Sequence, residues 1–425
     1  MISILKSREF KNSQASRDAA PAPASVSAAV AEIIADVMAR GDAALRDYSE
    51  RFDGCCLDSF ELPPSALEDA VRGVGEQFLA TMERAAKNIE EFHRHQISQG
   101  FEMARSGGVI LGQKVIPLER VGLYVPGGTA PYPSTVLMNC IPAKLAGVGE
   151  IIIATPPSKS GAVDAGILAA ARIAGADRVF AIGGAQAIAA LAYGTETVPR
   201  VDKITGPGNA YVAEAKRQVF GVVGIDMIAG PSDILVIADG GADPALVAAD
   251  MLSQCEHGAD SPAVLVTDSQ ELAVKVSAEI ELQVNALPRK VIAREAIDRH
   301  GKIIIAESLD EAFAISNELA PEHLEIFLDD PMEHLDKVKN AGSVFLGKNA
   351  PEALGDYYAG PNHTLPTSGT ARFSSPLSVV DFVKTTQYTY YTNEALRRDG
   401  DDVIRFAENE GLAAHAASVR RRIES

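Results

Sequence analysis

The chain has 425 residues, too many for one ordinary core and enough for two or more domains, and its 47% apolar and 23% charged residues describe a globular protein. With 57 acidic against 39 basic side chains its formal charge is -18, which repels phosphate backbones and anionic lipid and so argues against nucleic-acid binding. The same field favours a small cationic substrate, and no apolar run reaches the ~18 residues of a membrane span.

The first nine residues contain an apolar stretch too short for a secretory core. Residues 14–29 have the Ala/Pro/Ser composition of a linker, so the residues before them are expected to form an arm ordered only by contact with another surface. Helical spacing begins after this linker, over 28–52 and 65–98, the second stretch opening on a Ser65-x-x-Glu68 cap. Cys55, Cys56, Cys140 and Cys255 fall in neither metal-ligand spacing nor a disulfide framework, which points to a reducing, cytoplasmic setting.

From Val121 the pattern changes. Short apolar strands at 121–125, 150–155, 178–182 and 202–205 alternate with helices near 134–146, 162–174 and 185–193, the signature of a parallel, doubly wound sheet. A second strand series, at 234–238, 263–267, 302–306, 324–327 and 343–346, predicts a second α/β unit. After Gly369 the strands fade, and 393–422 reads as two charged helices broken near Gly411, too small to fold unaided. Ile182-Gly-Gly-Ala-Gln186 follows a strand and opens a helix, as a phosphate turn does. It lacks both the G-x-G-x-x-G fingerprint and a clear ribose-binding acid, so a plain strand-to-helix connector stays open.

Four of the eight histidines lie in segments suited to one metal site. Gln254 and His257, three apart at the end of a predicted helix over 244–255, can project toward one point, although Gln254 can equally serve as a capping amide. Glu322 and His323 stand at the entrance of a strand, where one can reach a water and the other a substrate hydroxyl. Asp356 and His363 lie in Gly355-Asp-Tyr-Tyr-Ala-Gly-Pro-Asn-His363, an irregular loop in which an aspartate can be a turn former or a ligand. His415 stands alone among small residues, five after Glu410, and by itself reads as a surface histidine. His93, His95, His300 and His334 lie in charged helical segments and are assigned no role.

These motifs, with the stretch from Ile110 through Ala146, Gly206-Pro-Gly-Asn209, Ala229-Gly-Pro-Ser232 and Pro321-Glu-His323, resemble histidinol dehydrogenase from about Val26 to the C-terminus. The resemblance implies an α/β fold of two Rossmann-like doubly wound domains with two small accessory segments, intertwined as a homodimer. In that frame residues 1–21 are the arm, 22–122 and 232–372 the first α/β domain carrying the metal and catalytic motifs, 123–231 the NAD-binding domain, and 373–425 a helical segment docking on the partner subunit. It further implies one zinc per subunit on Gln254, His257, Asp356 and His415; NAD at Tyr124, Gln186 and Asn209; and substrate at Ser232, Gln254, His257, His323, Asp356, Glu410 and His415. His415 and Glu410 are expected from the partner subunit.

The implied reaction is the four-electron oxidation of L-histidinol to L-histidine through the aldehyde, with two NAD, His323 accepting the alcohol proton and Glu322 activating water. Cys140 reads as a buried structural thiol; Cys255 is nearer the metal motif, and water rather than a thiol is expected to attack the aldehyde. Two alternatives are a related zinc dehydrogenase of a polar alcohol such as a sulfonated diol, and a non-catalytic zinc-binding paralogue. Glu410 and the absence of an added basic residue at 360–366 disfavour an anionic substrate, and retention of both Glu322 and His323 disfavours an inactive chain.

Overall fold

A computed structural model of the chain describes residues 2–13, 23–127 and 131–424. In chain order the strands are β1 (Ser3–Lys6), the hairpin β2 (Phe101–Arg105) and β3 (Val109–Pro117), then β4 (Arg120–Tyr124), β5 (Glu150–Thr155), β6 (Arg178–Ala181), β7 (Lys203–Thr205) and β8 (Gly224–Ile225). The second series follows as β9 (Ile234–Ala238), β10 (Ala263–Thr267), β11 (Lys302–Ile305), β12 (His323–Phe327) and β13 (Ser343–Leu346), and β14 (Val383–Tyr391) comes last.

Two parallel sheets result. One has the order β6-β5-β4-β7-β8, the other β1-β11-β10-β9-β12-β13, so each winds outward in both directions from its first long strand, β4 or β9. Both central strands are almost wholly apolar and buried, as expected of strands covered by helices on both faces. The helix Pro133–Ala146, which follows β4, opens on a proline in its first turn and stops at the left-handed Gly147; it is buried from Thr135 to Ala143. Asp164 caps the helix Ala165–Ala174 by accepting from two of its first N–H groups.

Several expectations change. Residues 3–6, read as part of an arm, form β1 and pair in parallel with β11, because their apolar residues complete the edge of the six-stranded sheet. The helices between 24 and 94, grouped by sequence with 232–372, pack instead on the five-stranded sheet: Val30 and Val37 share a core with Ile188 and Leu191, and Met82 and Ile89 share another with Val136 and Leu137. Apolar spacing fixes which face a helix buries, not which sheet receives it. The helix over 65–98 is two, Pro64–Gly73 and Glu76–Arg94; Pro64 takes the first helical position, so Ser65 lies inside the helix and makes no cap.

Strands do not fade after Gly369. All nine residues of β14 pair antiparallel with β3, forming a three-stranded sheet with β2. The polar, largely exposed sequence of β14 leaves no apolar face to announce it. The helices Asn393–Asn409 and Ala413–Glu424 then pack on each other.

Candidate active site

The five-stranded unit offers a cradle at the carboxyl ends of β4 and β7, the crevice where strand order reverses and nucleotides bind in such sheets. Tyr124 closes β4, and its hydroxyl accepts from the Gly184 N–H at 3.0 Å, the second residue of the glycine pair after β6. Gly184 has φ +68°, and Gln186 follows, 2% exposed. Gly206, after β7, has φ +107° and lies so close to the Tyr124 carbonyl that any Cβ would collide with it. Asn209 caps the next helix, its side-chain oxygen accepting from Tyr211 and Val212 N–H at 3.0 and 3.2 Å. A buried Lys216–Asp226 ion pair braces this turn: Lys216 donates to the Gly206 carbonyl at 2.9 Å and Asp226 accepts the Gly206 N–H at 2.8 Å.

In the six-stranded unit the polar groups gather at the opposite, amino ends of β9 and β12. His323 is the first residue of β12, and its Nδ1 lies 2.9 Å from the carbonyl of Asp233, just before β9. Glu322 accepts the Asp233 N–H at 3.0 Å, while Asp233 accepts the Glu322 N–H at 3.0 Å. The Ser232 hydroxyl also reaches Glu322. Asp356, on the short helix Glu352–Tyr357, stands 3.8 Å from His323 Nε2, and Glu352 stands at the same distance. His257, Glu352 and Asp356 bring ligand atoms within 4.8 Å of one another.

Gln254, in the last turn of the helix Pro244–Cys255, is fully buried, with neither side-chain oxygen nor nitrogen hydrogen-bonded among the described residues. The described chain does not bring His415 or Glu410 into this group; both are exposed on the C-terminal segment.

Family membership follows from comparison of the whole chain. The family description "Histidinol dehydrogenase" matches residues 16–423. The histidinol dehydrogenase of Listeria innocua is 51% identical over 421 residues, covering 99% of this chain and 97% of that protein. That of Bacillus cereus is 54% identical over 395 residues, covering 93% and 92%. The crystal structure of histidinol dehydrogenase from Elizabethkingia anophelis superimposes with TM-score 0.94 at 38% identity, covering 100% of this chain and 98% of that one. The chain belongs to the histidinol dehydrogenase family. Members are oxidoreductases of histidine biosynthesis, and among the described residues of this one no helix is long and apolar enough to cross a membrane.

In this family member the site is strongly polarised. Burial pushes Glu322 up to about 8 against the pull of His323, so its carboxyl holds a proton far above the usual range. Burial also opposes charge on His323, but Glu322, Asp356 and Glu352 outweigh it and raise the imidazole well above its ordinary value. Asp356 goes the other way: burial pushes it up, yet His323, His363 and His257 bring it down to about 2. Burial raises Cys140 and Cys255 to about 12, so neither supplies a thiolate near neutrality.

Asp233 and Glu352 were not singled out in the sequence. Glu352 could have been found, since it sits four before Asp356 on one helical face; Asp233 acts largely through its backbone and left no side-chain signal. His93, placed by sequence in a charged helical segment and given no role, is fully buried and bonded to Gln96 and Asn362.

Proposed function

We propose that this chain oxidises L-histidinol to L-histidine through L-histidinaldehyde, reducing two NAD and using one zinc per subunit. What carries this reading is the convergence of His257 and Asp356 beside Glu322 and His323, together with the buried Gln254 amide, which has no partner among the described residues. An orphaned buried polar group costs roughly 1–3 kcal/mol, and a metal ion coordinated by the amide oxygen would offset the oxygen's share of that cost. Nitrogen and oxygen donors from Gln254, His257, Asp356 and, from the partner subunit, His415 suit zinc. Glu352 is left out of this set and given a supporting place: its Oε2 accepts from the Ser253 hydroxyl at 2.9 Å and its Oε1 stands 3.8 Å from His323 Nε2. A zinc held by these residues would supply a Lewis-acidic positive charge that orients the substrate and would offset the carboxylates that otherwise keep His323 protonated.

With Nδ1 donating to the Asp233 carbonyl, neutral His323 carries its lone pair on Nε2, which is buried and has no hydrogen-bond partner among the described residues. That nitrogen takes the alcohol proton as the carbinol hydride leaves to NAD. Glu322, held by the Asp233 N–H and Ser232, then takes a proton from the water that adds to the aldehyde, and the hydrate yields the second hydride. Glu410 of the partner subunit is assigned to the substrate amine. Tyr124, Gln186 and Asn209 are assigned to NAD, supported by the tight glycine turns at Gly184 and Gly206, which let these backbones approach Gln186 and Tyr124 closely at the carboxyl edge of the sheet.

The test is NADH absorbance with zinc-loaded protein. Two NADH per histidinol are expected. Oxidation of a sulfonated diol in place of histidinol would sink this reading in favour of the related dehydrogenase, and no NADH with either would favour a non-catalytic zinc protein.

A further inference from the structure

The cofactor cradle and the metal cluster belong to different sheets, so their separation depends on whatever joins them. The buried side chain of Asn139 bonds a residue beside each, Thr205 before the Gly206 turn and Thr364 after His363. Asn139 is fully buried on the helix Pro133–Ala146 among Val136, Met138 and Cys140, where an amide is costly unless its groups are bonded. Its Nδ2 donates to the Thr135 carbonyl at 3.0 Å and to Thr364 Oγ1 at 3.1 Å, and its Oδ1 accepts from Thr205 Oγ1 at 2.9 Å.

Both threonines occupy telling positions. Thr205 is the last residue of β7, directly before the Gly206 turn and Asn209. Thr364 directly follows His363, whose Nδ1 lies 2.9 Å from the carbonyl of Asp356. One turn earlier on the same helix, Thr135 Oγ1 meets His363 Nε2 at 3.2 Å, so both ring nitrogens of His363 are held. Asn362 completes the clasp, donating to the Met138 carbonyl at 2.6 Å and accepting the Thr364 N–H at 2.8 Å.

We propose that Asn139, with Thr205 and Thr364, is a positioning bracket that sets the distance between the cofactor turn and the Asp356 loop, and through it the alignment for hydride transfer. The proposal rests on the assignment of NAD to the Gly206 turn. Hydride transfer requires reacting carbons ~3–3.5 Å apart and aligned, and displacement by ~1 Å can cost on the order of 10²-fold. A bracket built from a fully satisfied buried amide holds such a distance more firmly than apolar packing, which tolerates sliding.

The test uses the zinc-loaded enzyme and Thr205→Val, which keeps the side-chain shape and removes only the hydroxyl donated to Asn139, with Thr364→Val as a second break. Each should lower kcat ~10-fold or more while the histidinol KM changes little. The primary deuterium isotope effect on kcat, read with histidinol deuterated at the carbinol carbon, should rise as hydride transfer becomes slower. Thr205→Ser should restore both. A merely structural role predicts a lowered melting temperature with wild-type kcat and isotope effect, and that outcome overturns the bracket. Asn209→Asp, which keeps the helix cap but loses the amide N–H groups, checks the underlying assignment separately: an unchanged KM for NAD removes the cofactor from this turn and the bracket with it. A raised KM beside a wild-type-like Thr205→Val refutes the bracket alone.

Discussion

Glu322 and His323 are neighbours in sequence whose side chains are engaged differently by Asp233: its N–H donates to Glu322 and its carbonyl faces His323 Nδ1. In the mechanism proposed above, this division separates a water-activating carboxylate from an alcohol-activating imidazole, and it makes Glu322→Gln selective. Aldehyde oxidation should fall by ~10²-fold or more, with alcohol oxidation much less affected, when histidinol and histidinaldehyde are assayed separately. The same residue sets a pH signature. Its folded pKa of about 8 lies above the ordinary carboxylate value of 4.5, so the folded chain holds a proton that the unfolded chain has released. Its contribution to stability is therefore present below about 4.5 and lost as pH rises through about 8, while the basic form needed for catalysis appears over that upper limb. Aldehyde oxidation should rise with pH through about 8, and the Glu322→Gln profile should lose that rise. Metal content separates the other acids: purified His257→Asn should lose its zinc, whereas Glu352→Gln should keep it, and the reverse result would move Glu352 into the ligand set.

At the scale of elements, the turn after β7 is held by a buried charge pair. Lys216 and Asp226 side chains are 2% and 1% exposed, and both bond the backbone of Gly206. Removing one partner leaves the other charge buried and unpaired, so Lys216→Met should cost about 3–5 kcal/mol in denaturant unfolding. A loss below about 1 kcal/mol, the range of exposed pairs, would show that the bridge is not buried in solution. The helix Pro133–Ala146 shows the limit of pattern reading at this scale: its apolar run announced a buried helix, but nothing marked Thr135 and Asn139 as the residues that tie two sheets together.

Across the whole molecule, the cradle proposed for the cofactor lies at the carboxyl edge of one sheet and the proposed metal site and bases lie at the amino edge of the other, with His415 and Glu410 remaining outside on the C-terminal segment. Phe373 and Phe406, 81% and 73% exposed on that segment, are apolar surfaces suited to docking. We expect a dimer in which each segment completes the other subunit's site. Chains carrying His257→Ala and His415→Ala, each inactive alone, should recover activity when co-assembled, because both lesions can fall in one pocket and leave the other whole. Verified mixed dimers that stay inactive, beside active wild-type dimers prepared in the same way, would exclude the shared site.

Local sequence determined the elements whose signal is local. The β4–β7 and β9–β13 strands are short apolar runs bounded by turns, and Glu322-His323 is a contiguous motif, so both could be read directly. β14 could not, because its pairing with β3 comes from a partner more than 250 residues away and not from an apolar face of its own. The burial of His93, the capture of residues 24–94 by the five-stranded sheet, and the meeting of His257, Glu352 and Asp356 were likewise decided by tertiary structure. Periodicity reports which side of an element seeks cover, whereas strand order and chain crossings decide what provides that cover and which distant side chains then share it.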